Sequence, residues 1–472
     1  MTTDSFDVIV IGAGPVGENA AARAVRGGLT AALVEAERVG GECSYWACMP
    51  SKALLRPGHA MAAARRLPGV PVGEQLDAAA VLARRDEFTS HWDDAGQVGW
   101  AEGAGIAVIR GHGRLSGPRE VTVRAADGSV RTLTAAHAVV VCTGSVPVQP
   151  PIPGLAETPT WGSREATSAH EVPGRLAVLG GGVVGVELAQ AWARLGSQVT
   201  LVVSQDRPLA RFEDFVGDLV ADGLRADGVE LLLGATTERV SAVEDGVELV
   251  LADGKRIVAD QLLVATGRRP ATEDLGVELF GLEPGRALTV DDSGVVSGVD
   301  GGWLYAAGDV TGRAPLTHQG KYAARAVGDA IAARAAGSLT GDPEPWSGLA
   351  STADHTAVPQ VVFTDPEVAF VGRTAEQARQ AGLDVRVVEI DIAVAGSSLH
   401  ADGYTGKASM VVDEGRRVLV GLTFVGPDVA ELLHAATIAI VGEVPIDRLW
   451  HAVPAYPTIS EVWLRLLEAY GL

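Results

Sequence analysis

From Asp7 to Ile11 the chain reads Asp-Val-Ile-Val-Ile, a short apolar run rich in β-branched residues. Such a run predicts a buried strand. Gly12-Ala13-Gly14-Pro15-Val16-Gly17 follows at once, then an alanine-rich stretch with helical spacing, then a second apolar run, Ala31 to Glu35. Strand, glycine turn, helix and strand make a βαβ unit, in which the glycines let the backbone approach a pyrophosphate at a helix N-terminus. Glu35 ends the second strand, where it can hydrogen-bond a ribose. The same order recurs from Leu176 to Leu179, through Gly180-Gly181-Gly182-Val183-Val184-Gly185 and a helix through Trp192, to a strand from Val199 to Val203. One glycine fingerprint can arise from packing alone, but two complete units in one chain predict two nucleotide sites.

Two further apolar runs, Val139 to Gly144 and Leu262 to Gly267, end in similar glycine turns and flank the second unit, as domain crossovers would. Tyr305-Ala306-Ala307-Gly308-Asp309 predicts another strand, ending with a carboxylate and returning to the first domain. From about Ser351 the pattern changes to alternating strands, such as Gln360 to Phe363 and Ala408 to Val412, with amphipathic helices after them. That predicts a third, α+β domain. The length of 472 residues agrees, since one hydrophobic core rarely extends so far.

The 38 Lys and Arg against 59 Asp and Glu leave a formal charge of −21, which repels phosphate backbones and anionic lipid. Neither nucleic acid nor a membrane is expected as partner. The opening Met-Thr-Thr-Asp-Ser-Phe-Asp has no basic leader, and the apolar run after it is cut by glycine well short of a span, so a cytoplasmic protein is expected.

Three cysteines cannot form a structural disulfide framework in a chain this long, and a close pair in a reducing compartment is more often catalytic or metal-binding. Cys43 and Cys48 stand in Gly40-Gly41-Glu42-Cys43-Ser44-Tyr45-Trp46-Ala47-Cys48-Met49-Pro50-Ser51-Lys52, just after Glu35. A helix is expected to begin there, and its dipole would favour a thiolate, the nucleophilic and electron-donating form. Zinc would need about four N or S ligands, and no second Cys or His cluster stands nearby, so no metal is expected. Two inert buried cysteines remain the alternative. Cys142, inside an apolar strand, reads as a small buried thiol.

Taken together, these motifs resemble the flavoprotein disulfide reductases, the family of dihydrolipoamide dehydrogenase, glutathione reductase and mercuric reductase, over essentially the whole chain. Gly40 to Lys52 is similar to the family's redox-disulfide signature and Ala306-Ala307-Gly308-Asp309 to its second FAD motif. The resemblance implies an α/β protein with two Rossmann-like domains and a C-terminal α+β dimerisation domain. The FAD domain would comprise 1–145 and 271–345, an inserted NAD(P) domain 146–270, and a homodimer-forming domain 350–472. FAD would be held by Gly12, Gly14, Gly17, Glu35, Gly41, Lys52, Gly113, Thr143, Gly144, Asp309, Leu316, Thr317 and His318. NADPH or NADH would lie on Gly180, Gly182, Gly185, Glu187, Val203, Val240 and Gly267. Hydride would pass from nicotinamide to flavin and open a Cys43–Cys48 disulfide through Cys48, with Cys43 as the exchange thiol and Lys52 paired to Glu187 beneath the flavin.

Two departures shape the functional reading. Where thiol-exchanging members place His before Pro-Thr and a later Glu, this chain has Tyr456, with Pro457, Thr458 and Glu461 following. A phenol titrates near 10 in water against about 6.5 for imidazole, so Tyr456 is a poor general base at neutral pH. His451 reads as a helix-end residue. The second departure follows Val203: Ser204-Gln205-Asp206-Arg207 has no carboxylate where NAD-specific members place one, and Arg207 or Arg211 could reach a 2′-phosphate, while Gly185 rather than Ala leans to NADH. The chain also ends without the C-terminal cysteine pair of mercuric reductases. The expected activity is NAD(P)H-dependent reduction of a small disulfide, quinone or related acceptor. The alternatives are a dihydrolipoamide dehydrogenase of a multienzyme complex and, in another class, a flavin-bearing scaffold subunit whose cysteines do not turn over.

Overall fold

The apolar run that opens the sequence lies in the strand Thr3–Ile11, and its residues Val8, Ile9 and Val10 have no exposed surface at all. A strand covered on both faces can carry a continuous apolar run instead of an alternating one. In the computed structural model, which describes residues 3 to 472, the chain forms two compact units. The first holds the described residues up to Met49, with Asp86–Val148 and Arg268–His355; the second holds Pro50–Arg85, Gln149–Gly267 and Thr356–Leu472.

In the first unit Thr3–Ile11 pairs in parallel with Ala31–Glu35 on one side and with Val130–Val141 on the other, and Ile106–Arg110 extends the parallel sheet beyond Ala31–Glu35. The long strand Val130–Val141 changes its outer neighbour partway along. Through Thr134 it pairs antiparallel with Glu120–Arg124, which continues to His112–Gly117; from Val139 it pairs in parallel with Leu304–Ala306. Successive side chains face opposite ways along these strands. Ile9, Ile11, Val34 and Val139 therefore join one cluster with Leu115, Leu133 and Leu304, while Val8, Val10, Leu33 and Val140 join Ala20, Ala24 and Val327 of the covering helices.

The second unit carries a parallel sheet in the order Glu230–Leu232, Gln198–Val202, Arg175–Leu179, Gln261–Val264, and a separate three-stranded meander, Thr237–Val243, Gly246–Leu251, Arg256–Ala259. Trp192, fully buried on the helix Val183–Arg194, is a centre of its core. From Pro359 the chain builds an antiparallel five-stranded sheet in which Val418–Gly426 is buried along its whole length. The helix Glu461–Tyr470 closes the chain, with Trp463 edge-on to Phe424 of that strand.

The crossovers expected at Gly144 and Gly267 take a specific form. Ser145–Pro147 pairs antiparallel with Arg268–Pro270, so the chain leaves and re-enters the first unit through one two-stranded ribbon. Sequence and structure differ by a residue or two at most strand ends. Larger differences are the strand expected from Val139, which begins at Val130, and the one expected from Asp7, which begins at Thr3; at Tyr305 to Asp309 the strand stops at Ala306 and Asp309 opens a single 3₁₀ turn instead. The reason is Gly308, whose φ of +81° breaks the extended backbone.

Candidate functional site

The two glycine turns are built alike. Gly12 has φ +99°, and a Cβ there would lie 2.4 Å from the carbonyl oxygen of Cys142; one on Gly17 would lie 1.9 Å from the Gly12 oxygen. Gly180 has φ +115° with a Cβ position 2.5 Å from the Ala265 oxygen, and one on Gly185 would lie 1.9 Å from the Gly180 oxygen. The first and third glycines are thus required by backbone packing. The middle ones are not: Gly182 has nothing within 4 Å, and Gly14 only the Gly41 Cα at 3.8 Å. Each middle glycine is also the N-cap of a helix, Pro15–Arg26 or Val183–Arg194, with no side chain capping it. Uncapped first-turn amides beside an open glycine form a cradle for a pyrophosphate, and the residues present fit a dinucleotide at each.

Glu35 holds the first turn in shape. Its two carboxylate oxygens accept from the amides of Ala13 and Glu37, each at 2.8 Å, while burial pushes the carboxyl above its ordinary range. Gly41, at φ +57°, leaves room for Gly14, since a Cβ would lie 2.7 Å from the Gly14 Cα. The Gly40-Gly41 turn therefore lies on the phosphate cradle and launches the redox segment.

That segment begins with a short helix, Gly41–Tyr45, carrying Cys43, and continues with Cys48 as the first residue of the 18-residue helix Cys48–Arg65. Both cysteines are free thiols, so the pair is the dithiol here. Cys43 and Cys48 share a hydrogen bond, which together with burial holds the Cys43 thiol well above its usual range. Cys48 Sγ lies 3.3 Å from Thr317 Oγ1, and Thr317 opens the helix Thr317–Ala335 with Leu316 as its N-cap and His318 next in line. Cys142 is buried in an apolar setting that pushes its thiol up to about 12, as befits an inert cysteine.

Around the ribbon, Asp309 Oδ2 accepts from Ser145 Oγ at 2.7 Å, Thr143 Oγ1 donates to the Ala271 carbonyl, and Arg268 donates to Ser145 and to Glu42 at 2.5 Å. Arg268 thereby ties Glu42, next to Cys43, to the segment that holds Asp309. The sequence reading missed this chain of contacts; its only signal was an arginine directly after the crossover glycine, Gly267. Gly144 and Gly267, at φ +73° and +130°, both face open space. Gly113 is buried, its Cβ position 2.9 Å from Val34 Cγ1, so strand packing accounts for it.

In the second unit Lys52, one helical turn after Cys48, reaches Glu187 at 2.7 Å. Glu187 is buried and fixed through its other oxygen by the Phe363 amide at 2.9 Å, and the Lys52 ammonium lies 4.9 Å from the Phe363 ring centre. Val203 is buried against Gly181, and Val240 is a core residue whose amide donates to Pro153. Arg207 is paired with Asp214 at 2.7 Å, while Arg211 is exposed. Tyr456 is 75% exposed. Glu461 is buried, its oxygens taken by Arg465 at 2.7 Å and the Gly396 amide at 3.3 Å. A separate cavity of about 770 Å³, lined by Arg66, Arg194, Asp227, Asp365 and Tyr404, contains none of the site residues expected from sequence. Its charges satisfy one another through Arg66–Asp365, Arg194–Asp365 and Arg194–Asp227 pairs.

Two dinucleotide cradles and a dithiol at a helix start define a class of redox flavoenzyme, and comparison with known families agrees. Residues 6–334 match the pyridine nucleotide-disulphide oxidoreductase model and residues 358–466 the dimerisation domain of the same family, so the chain belongs to that family, whose members are FAD enzymes using NAD(P)H. It is 31% identical to the dihydrolipoyl dehydrogenase of Chlamydia muridarum, covering 98% of this chain and 96% of the relative. It is 34% identical to the mercuric reductase of Acidithiobacillus ferrooxidans, covering 96% and 80% respectively. Among solved structures, the Cu(II) complex of the HOCl-induced flavoprotein disulfide reductase RclA from Escherichia coli superposes with a TM-score of 0.83 at 27% identity, covering 98% of this chain and 99% of that one.

The middle glycine of the second cradle can be tested on its own. Gly182→Ala should leave thermal stability unchanged, because its φ is −77° and nothing crowds the site. It should raise the KM for NADH or NADPH by about tenfold, equivalent to ~1.4 kcal/mol of lost binding. Steady-state kinetics alongside a melting curve check both halves.

Proposed function

We propose that this enzyme takes two electrons from NADH or NADPH and delivers them through the Cys43/Cys48 pair to a small disulfide, quinone or related acceptor. The observation that carries the reading is the pair itself: hydrogen-bonded thiols, one on a short helix above the phosphate cradle and one opening a long helix, with Thr317 against Cys48. FAD, when bound, relays the nicotinamide hydride as electrons to the disulfide. Cys48, at the positive end of its helix, would be the thiol facing the flavin of bound FAD. Cys43 is the thiol that meets the acceptor.

Lys52 would contact the flavin of bound FAD, and Glu187 holds Lys52 in place from a buried, doubly anchored position. We assign FAD to residues 1–145 and 271–345, the nicotinamide dinucleotide to 146–270, and dimer formation to 350–472. The chain works as a homodimer in which Tyr456 and Glu461 complete the partner's dithiol site. Tyr456 in the acid/base position weighs against dihydrolipoamide oxidation as the physiological reaction. A metal-ion acceptor, suggested by the mercuric reductases and the Cu(II) complex of RclA, would find little here beyond the two thiols, since among the described residues no group of three His, Cys, Asp or Glu is placed to hold a metal.

The test is an anaerobic acceptor screen of the purified holoenzyme with both nicotinamides, including aromatic and aliphatic disulfides, quinones, Cu(II) and lipoamide. Disulfide or quinone turnover exceeding that with the metal ion and lipoamide supports the reading. Turnover confined to lipoamide, or none with any acceptor, overturns it.

A further inference from the structure

The helix Pro15–Arg26, whose N-terminus forms the first phosphate cradle, carries a carboxyl in its first turn, where a second anion is expected to arrive. This is Glu18, whose amide donates to the carbonyl of the N-cap residue Gly14. Residues four apart share a helix face, and their side chains lean back towards the N-terminus. Glu18 therefore lies under the side of Gly14 that meets Gly41, whose Cα is 3.8 Å from the Gly14 Cβ position. Packing shuts the carboxyl in. Its Oε1 is buried with no hydrogen-bond partner, and on the facing helix Thr317–Ala335 a Cβ on Gly320 would lie 2.6 Å from Val16 Cγ2. The charged groups around it are few. Lys321, next to Gly320, is felt as a charge but makes no ion pair with Glu18 among the described residues. From the redox segment Tyr45 is close enough to feel Glu18, and it also feels Asp94, Arg38 and Asp93. Farther along the two helices Arg23 is taken by Asp329, and the strands beneath present Val8, Val10, Leu33 and Val140. Burial pushes the Glu18 carboxyl up to about 7, with Lys321 pulling it the other way.

We propose that Glu18 couples FAD binding to the uptake of one proton, because a shut-in carboxyl in the first turn of the cradle helix must be neutral once the pyrophosphate is in place. The linkage rests on the assignment of FAD to the first cradle. In the free protein the positive end of the helix dipole helps Glu18 to ionise. A pyrophosphate on the first-turn amides takes over that positive end and brings like charge to the turn in which Glu18 stands. Like charge disfavours the ionised carboxyl further, and a buried site with no hydrogen-bond partner for Oε1 offers little to offset it. The sign follows. Glu18 is a weaker acid with FAD bound than without, so affinity for FAD is full below the pH at which the free protein's Glu18 ionises and falls above it. In that upper range ionised protein, FAD and one proton from solvent give the complex with Glu18 neutral. Glu35, at the same cradle, is set apart by having both oxygens held by amides.

The experiment dilutes the holoenzyme at a series of pH values from about 6 to about 9 and reads the FAD released by its fluorescence, giving a Kd at each. The wild type should hold FAD about tenfold less tightly at the upper end than at the lower, the ratio that a tenfold weakening of the acid on binding produces. Glu18→Gln, neutral throughout, should match the wild type at the lower end, bind about tenfold more tightly at the upper end and lose the pH dependence. Lys321→Met, which removes the nearby cation, should move the fall to higher pH. A wild-type Kd that is flat over this range overturns the proposal. So does a fall that Glu18→Gln retains in full, since a purely structural Glu18 would change Kd by one factor at every pH. Misplacement of the cofactor looks different. Gly14→Asp, at an N-cap where a side chain fits, sets a carboxylate on the cradle itself and should expel FAD at every pH. Retention of FAD by that variant would fault the site and not the linkage.

Discussion

Cys48→Ser is expected to reduce NAD(P)H-dependent disulfide turnover by at least about 10³-fold and to abolish the long-wavelength absorbance that a thiolate beside the flavin gives on anaerobic reduction. Cys43→Ser should lose disulfide turnover to a similar extent yet keep that band. The split follows from position. Cys48 begins the long helix, next to Thr317 on the helix that follows Asp309, whereas Cys43 sits on the separate turn of helix above it. Quinone reduction that draws electrons directly from the flavin should survive in both variants, so a loss of all activities would indicate misfolding and not chemistry. The opposite pattern, with the band lost in Cys43→Ser and kept in Cys48→Ser, would reverse the two roles.

Tyr456→His should raise dithiol oxidation by about 10²-fold while changing quinone reduction little. Oxidising a dithiol requires a base to take the proton of the incoming thiol, a service worth on the order of 10²–10⁴-fold, and a phenol is mostly unable to give it near neutral pH. The lower end of that range is expected because Glu461, which would orient an imidazole, is already held by Arg465 and the Gly396 amide. Adding Arg465→Ala to Tyr456→His should then raise the gain further. Dihydrolipoamide oxidation by the wild type as fast as its quinone reduction would remove the asymmetry, and with it this account of Tyr456.

What could be read from the sequence was whatever depends on local pattern. Buried strands declare themselves as runs such as Val8-Ile9-Val10, and the glycine turns declare themselves because Gly12, Gly17, Gly180 and Gly185 are each forbidden a Cβ by a backbone oxygen. That a helix begins near the cysteine pair was expected, but not that there are two, Gly41–Tyr45 and Cys48–Arg65. Pairings between distant segments were not legible. Glu42 with Arg268 and Glu187 with Phe363 depend on how different stretches of the chain meet, and no periodicity encodes that.

The ribbon of Ser145–Pro147 and Arg268–Pro270 has a further bearing on how this architecture tolerates change. Pro147 and Arg268 are cross-strand neighbours, so the ends of everything between them are as close together as the ends of a hairpin loop. The entropy of closing a loop grows only logarithmically, by about 0.6 kcal/mol for each doubling of its length. To the sheet of the first unit, the intervening stretch is therefore a hairpin tip of almost arbitrary size. Insertions or deletions there would cost that sheet little, provided they spare Glu187, which holds Lys52 one helical turn after Cys48.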